Sequence, residues 1–286
     1  MDSSPKCSAI AGFFAFMEHN MTKPVVVAVA NRKGGVGKSA TAESIALILA
    51  ELAPTLIIDL DQQGTVSSIL CPEHKDENTS ASLYKKPAFL SAYPATQRAA
   101  LDTADRVMIE NLHVSTANKE LEGIQKMATG ISIFGLQKAI SAIKDEYKYI
   151  VIDCPPNGSD AQSMALMVAD YLLVPVTHDM SSMEGADELF TDLNVVIENR
   201  DSAPTIGIFL NIVSHQSRSA YAIARTVVEQ KYPQYLLDIE VPHQGTAATA
   251  RSAYFTTAAY AKLSGRKSKP VEALKEIVQK LKITGE

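Results

Sequence analysis

A glycine-rich turn caught between a buried strand and a helix constrains this chain more than any other feature. Val25-Val26-Val27-Ala28-Val29-Ala30 is an unbroken apolar run, the pattern of a strand covered on both faces. Lys33-Gly34-Gly35-Val36-Gly37-Lys38-Ser39 follows it. Beyond the turn, Ile45, Ile48, Leu49 and Leu52 recur at helical spacing until Pro54, so residues 39–53 are expected to be helical. Glycines let such a turn aim its backbone N–H groups inward, and the helix adds the positive end of its dipole. The ligand that suits this arrangement is a phosphate. Lys38 is placed to reach the β- and γ-phosphates, and the Ser39 hydroxyl to ligate Mg²⁺.

The same alternation continues along the chain. Apolar strands are expected at Thr55–Leu60, Leu112–Thr116, Tyr149–Asp153, Tyr171–Val176 and Ile206–Ile212, with an edge strand at Ile239–Val241. Helices are expected at residues 131–145, 216–231 and 271–281, and short helices and loops over residues 71–104. Strands alternating with helices predict an α/β fold, a mainly parallel twisted sheet flanked by helices on both faces. Ligands of such sheets sit at the carboxyl ends of the strands, where Ala30-Asn31, Asp59-Leu60-Asp61, Asp153 and Asn211 fall. Residues 1–22 read as a dispensable extension and residues 23–286 as one domain.

Composition narrows the classes. The cysteines Cys7, Cys71 and Cys154 form no CxxC pair for zinc or an iron–sulfur cluster, and a reducing, cytoplasmic setting follows. No apolar run approaches the ~18 residues that span a membrane. The formal charge of −5 argues against a uniformly basic nucleic-acid binder. Yet residues 201–286 hold 11 Lys+Arg against 7 Asp+Glu.

The loop reads KGGxGK[ST], with Arg32 where the first glycine of GxxxxGK[ST] would stand. It resembles the deviant Walker A motif of the ParA/MinD family of ATPases. Asp59-Leu60-Asp61-Gln62-Gln63-Gly64 resembles the family's DxDPQG switch I. Ile150-Val151-Ile152-Asp153-Cys154-Pro155-Pro156 resembles its hhhDxPP Walker B and switch II segment. Leu173-Val174-Pro175-Val176, followed by Met183-Glu184-Gly185, is similar to its hhhPV…EG stretch. The resemblance runs from about residue 24 to the C-terminus.

It implies a P-loop NTPase of the deviant Walker A type, with ATP and Mg²⁺ as cofactors and slow, partner-stimulated hydrolysis. Lys33, Gly34, Gly35, Val36, Gly37, Lys38, Ser39 and Ala40 would hold the phosphates, with Asn211 and Pro242 near the base. Lys33 is implied as the signature lysine that reaches the partner's ATP across a nucleotide-sandwich homodimer. Lys38 and Asp153 complete the catalytic set with Asp61, which would orient the attacking water. Ser39, Asp59 and Asp153 would surround the metal, Asp153 through water and Asp59 as a support. Departures from the pattern are Ala40 for a second hydroxyl, Gln62 for the proline, and His243-Gln244 where a basic residue often follows the edge strand.

Among the surfaces on which this family travels, the resemblance favours DNA. Arg218, Arg251, Lys262, Arg266, Lys267 and Lys269 match the position of nonspecific double-stranded DNA binding in ParA-like proteins, a function that depends on phosphate contacts. A ParB-like or other cargo-bound activator and a nucleoid-associated location go with it. The stripe Val271, Leu274, Ile277, Val278 and Leu281 reads as a helix packed on the sheet, so no stable membrane insertion is expected. The alternatives are a MinD-like membrane-cycling regulator anchored by the apolar residues 9–17, and a cluster-carrying ATPase, which the missing CxxC opposes.

Overall fold

The computed structural model describes residues 23–74, 79–85, 90–121 and 134–285. The expected extension, residues 1–22, lies outside the described residues, as do residues 131–133 of one expected helix.

Eight strands form one sheet in the order β3-β4-β2-β5-β1-β6-β7-β8. They are β1 (Val25–Val29), β2 (Thr55–Asp59), β3 (Tyr93–Arg98), β4 (Arg106–Ser115), β5 (Tyr149–Asp153), β6 (Tyr171–Val176), β7 (Thr205–Val213) and β8 (Leu236–Pro242). All neighbours pair parallel except β3, which runs antiparallel to β4. Helices cover both faces, as expected. The larger are α1 (Lys38–Ala50), α2 (Thr65–Leu70), α4 (Gly135–Ala142), α5 (Asp160–Val168), α6 (Met180–Ile197), α7 (Arg218–Lys231), α8 (Gly245–Ser252), α9 (Thr257–Leu263) and α10 (Lys269–Lys280), with a single turn, α3, at Ser82–Lys85.

The apolar strands read as continuous runs because each feeds two cores. Val26, Ala28, Leu56, Ile58, Ile150 and Ile152 face one side, packed with residues of α4, α5, α6 and α7. Val27, Val29, Ile57 and Val151 alternate with them and face α1, α2 and α10 on the other side. On α10, Leu274, Ile277 and Val278 are buried in that second core, so the C-terminal stripe is a packing face.

Two local expectations differ from the structure. Residues 71–104 contain β3, an edge strand whose sequence YPATQR carries no apolar alternation. Pro94 is tolerated there because an edge strand has one unpaired side, and the register shifts between Pro94 and Thr96. Leu52 lies beyond the end of α1 and is 61% exposed, since the helix stops at Ala50.

β1 is central, between β5 and β6, and its last residue Val29 lies in register with Asp153. Asp153 is in register with Asp59 of β2 on its other side. The strand topology alone therefore brings the glycine loop and two of the acids to one point.

Candidate functional site

Asn31 and Arg32, noted in the sequence but given no role there, fasten the start of the loop. Asn31 is fully buried and donates to the carbonyls of Pro175 (3.0 Å) and Ser182 (3.1 Å) while accepting from Lys33 N–H (2.8 Å). Arg32, in the place of a glycine, turns away from the loop onto α6, where Nε donates to Asp192 (3.0 Å) and Nη1 to Glu188 (3.2 Å). Gln162 of α5 donates to the same Asp192 carboxylate. Gly185, from the EG stretch, lies under this joint; a Cβ there would stand 2.5 Å from Asn31 Oδ1 and 2.7 Å from Lys33 N.

The loop itself turns through Gly35 (φ 81°) and Gly37 (φ 90°), both left-handed. Gly37 is the N-cap of α1 and offers no side chain to its first turn. That leaves backbone N–H groups of the first turn for an anion. Lys38 is buried, and its Nζ donates to the carbonyl of Lys33 at 2.9 Å. Burial lowers its pKa, against the pull of Asp153 and Asp61. Lys33, by contrast, points outward: its side chain is 41% exposed, with Nζ 3.9 Å from Asp179 at the N-cap of α6.

Three carboxylates gather beyond Lys38. Asp59 is fully buried and accepts from Ser67 N–H (2.9 Å), Ser67 Oγ–H (2.7 Å) and Asp61 N–H (3.1 Å). Burial pushes it up to about 6, against the Ser67 hydrogen bonds. These contacts tie Asp59 to the backbone of Asp61 and to Ser67 in α2. Asp61 itself stands at the cavity wall, accepting from Gln63 N–H at 3.0 Å. Asp153 is fully buried, and neither carboxylate oxygen has a partner in hydrogen-bond geometry. Burial, and then the neighbouring Asp59, hold it well above the ordinary carboxylate range; the Ser39 hydroxyl and Lys38 oppose that shift. A buried carboxylate without a hydrogen-bond partner, beside a hydroxyl and with the Lys38 charge near it, has acceptor capacity left for a ligand. Two hard oxygen donors of this kind fit Mg²⁺.

These elements line one cavity of about 570 Å³. Its wall includes Gly34, Gly35, Gly37, Lys38, Ser39, Ala40 and Asp61 on the loop side, and Asn211, Pro242, His243 and Gln244 at the ends of β7 and β8. Val36, Asp59, Asp153 and Lys33 lie outside the wall. Asn211 donates to the carbonyl of Val36 at 2.7 Å, so its amide ties β7 to the loop. The next residue, Ile212, sits at φ 60°, a strained conformation for a β-branched side chain. Tyr221 of α7 clamps this corner, donating to the carbonyls of Asn211 (2.7 Å) and Ile212 (2.8 Å).

A strand-loop-helix cradle with a buried lysine and an unpaired buried acid agrees with the comparison to known proteins. A family model described as an AAA domain, AAA_31, matches residues 24–206. The chain is a ParA-type ATPase of this family. The sporulation initiation inhibitor protein Soj of Bacillus subtilis is 28% identical over 207 residues, covering 71% of this chain and 78% of Soj. The cell division protein PomZ of Myxococcus xanthus is 32% identical over 219 residues, 72% of this chain and 63% of PomZ. Among solved structures, apo McdA of Cyanothece has a TM-score of 0.70 at 20% identity, covering 88% of this chain and 98% of McdA. Cobyrinic acid a,c-diamide synthase from Mycobacterium smegmatis with bound ATP analog and magnesium has a TM-score of 0.68 at 22% identity, covering 88% of this chain and 92% of that one. The last two share the fold, and a synthase among them shows that this fold alone does not choose a task.

In this ATPase the expected DNA-contact residues divide. Arg218, Lys262, Arg266, Lys267 and Lys269 are exposed, and none has an ion-pair partner among the described residues. Lys267 and Lys269 are tied to the cavity lip by Gln244, whose Nε2 donates to Lys267 O (3.0 Å) and whose Oε1 accepts from Lys269 N–H (3.1 Å). Arg251 is placed differently from the other five. It lies in the cavity wall, with Nη1 3.6 Å from the buried Glu43 of α1. No helix among the described residues is long and apolar enough to cross a membrane.

Proposed function

We propose that residues 23–286 act as one ATPase domain that binds ATP and Mg²⁺ in the loop cavity, closes into a homodimer, and holds double-stranded DNA nonspecifically until hydrolysis releases it. The observation that carries this reading is the buried, unpartnered Asp153 beside Ser39 and Lys38, under an uncapped helix start. Backbone N–H groups from Gly34 to Ala40 cradle the phosphates, and Lys38 exchanges its bond to the Lys33 carbonyl for phosphate oxygen. Ser39 and Asp153 would hold the Mg²⁺, which supplies charge neutralisation on the phosphate oxygens. Asp61 orients the attacking water, itself held by Asp59.

Lys33 has no place in its own cavity wall. In the proposed dimer it reaches the partner's nucleotide, so the second cation arrives only when two subunits meet. Hydrolysis is then slow in the monomer and stimulated by a ParB-like or other cargo-bound protein. The exposed cations of α7 and of the α9–α10 connection supply the phosphate contacts to DNA. The names of similar proteins point the same way, several being chromosome or plasmid partition proteins. The protein is then cytoplasmic and rides on the nucleoid. Replacing Lys38 by Ala should abolish ATP binding, measured with a fluorescent ATP analogue; an affinity within threefold of wild type, by the threshold of roughly 0.6 kcal/mol, would refute the loop assignment.

A further inference from the structure

Arg251 has the placement of a ligand contact. Its side chain is 24% exposed and lines the cavity near the β8 end, with Pro242, Gln244 and Ala247. Behind it, Glu43 is completely buried on α1. Glu43 Oε1 accepts from Thr257 N–H at 3.3 Å, which fixes the carboxylate against the start of α9. Glu43 Oε2 and Arg251 Nη1 lie 3.6 Å apart, and neither atom has a hydrogen bond. The guanidinium is thus oriented by charge from behind, and none of its N–H groups is committed to a protein acceptor among the described residues. A buried carboxylate and a rigid fork of donors held this way are costly to maintain without a ligand acceptor in reach.

Position along α1 says which part of a nucleotide this is. Glu43 stands five residues beyond Lys38, roughly 7 Å along the helix axis, so its partner is displaced from the phosphate cradle. The cavity wall at that end also carries Thr41, Ser44 and Thr257 from α1 and α9. Guanidinium N–H groups donate and never accept. Their complement on a nucleoside is a ribose oxygen or a purine ring nitrogen.

We propose that Arg251 is a nucleotide-binding residue, held by Glu43, that recognises the nucleoside end of the ligand and does not belong to a DNA-binding face. This rests on the reading of the cavity as an ATP site and adds the recognition of its far end. Arg251→Lys keeps a cation beside Glu43 but loses the planar fork. The double variant Glu43→Gln with Arg251→Gln removes both charges and keeps an acceptor for Thr257 N–H, so one of the two should fold.

Isothermal titration calorimetry on both variants would use Mg-ATP and Mg-tripolyphosphate, which lacks the nucleoside. The expected result is an ATP affinity about tenfold weaker, the scale of a charge-assisted hydrogen bond, with tripolyphosphate affinity unchanged. DNA retention at saturating ATP should match wild type. Unchanged ATP affinity in a folded variant, an equal loss for tripolyphosphate, or weaker DNA retention at saturating ATP would each overturn the assignment. A wild-type protein that binds neither probe would instead remove the cavity reading itself.

Discussion

Asp153 and Glu43 are both completely buried carboxylates, and their surroundings separate their roles. Asp153 has Asp59 and Asp61 for neighbours, with Lys38 the cation acting on it, and takes Mg²⁺ in the proposed site; Glu43 has Arg251. Burial lifts Glu43 from 4.5 to about 6. Between those values the folded protein holds a proton that the unfolded chain has released. Its share of stability is therefore present below pH 4.5 and lost as pH rises through about 6. Glu43→Gln should remove this dependence. Relative to wild type, the variant should gain about 2 kcal/mol between acid and neutral pH, measured by urea denaturation at both. A constant gap between the two proteins would contradict the burial argument. Lys38 and Asp61, singled out by their local motifs, and Asn211 and Pro242, singled out by the family resemblance, all line the cavity. The pairing of Glu43 with Arg251 was not legible, since it is made across more than two hundred residues by the packing of α9 on α1 and of α8 on α9. An isolated Glu in one helix and an isolated Arg in another give no signal of each other.

The glycine loop, α1 and β7 form one mechanical unit. Gly37 begins α1 at φ 90°, and a Cβ there would stand 2.4 Å from Asn211 Nδ2. Gly37→Ala should therefore break the Asn211–Val36 hydrogen bond as well as strain the turn. The expected outcome is loss of nucleotide affinity by at least tenfold, with stability lowered by about 1–3 kcal/mol, read by calorimetry and thermal melting. Wild-type affinity would show that the loop does not close on its ligand in this shape. Strands with unbroken apolar runs were legible, because burial on both faces removes the need for polar residues. β3 was not: it is a polar edge hairpin strand with Pro94, held by β4 and by Arg106, which donates to Thr96 Oγ1 at 2.7 Å. Its identity comes from its neighbour and not from its own pattern.

Across the molecule, the charge is divided between a site that gathers acids and a surface that gathers bases. Asp59, Asp61 and Asp153 meet at the strand ends, while Arg218, Lys262, Arg266, Lys267 and Lys269 remain exposed. Changing Lys267 and Lys269 together to Glu should weaken DNA binding and lower the slope of log affinity against log salt by about 2, leaving ATP binding intact. An unaltered salt slope would move the DNA face elsewhere. The placement of Arg251 already shows why net charge of a segment is a coarse guide: one of its cations faces inward. In the proposed cycle, nucleotide occupancy sets assembly and DNA retention. Asp61→Ala, which should bind ATP without hydrolysing it, isolates that dependence. Sedimentation velocity with labelled duplex DNA at low salt should show a DNA-bound dimer with ATP and a free monomer with ADP. A monomer in both nucleotides, or equal DNA retention in both, would contradict the account.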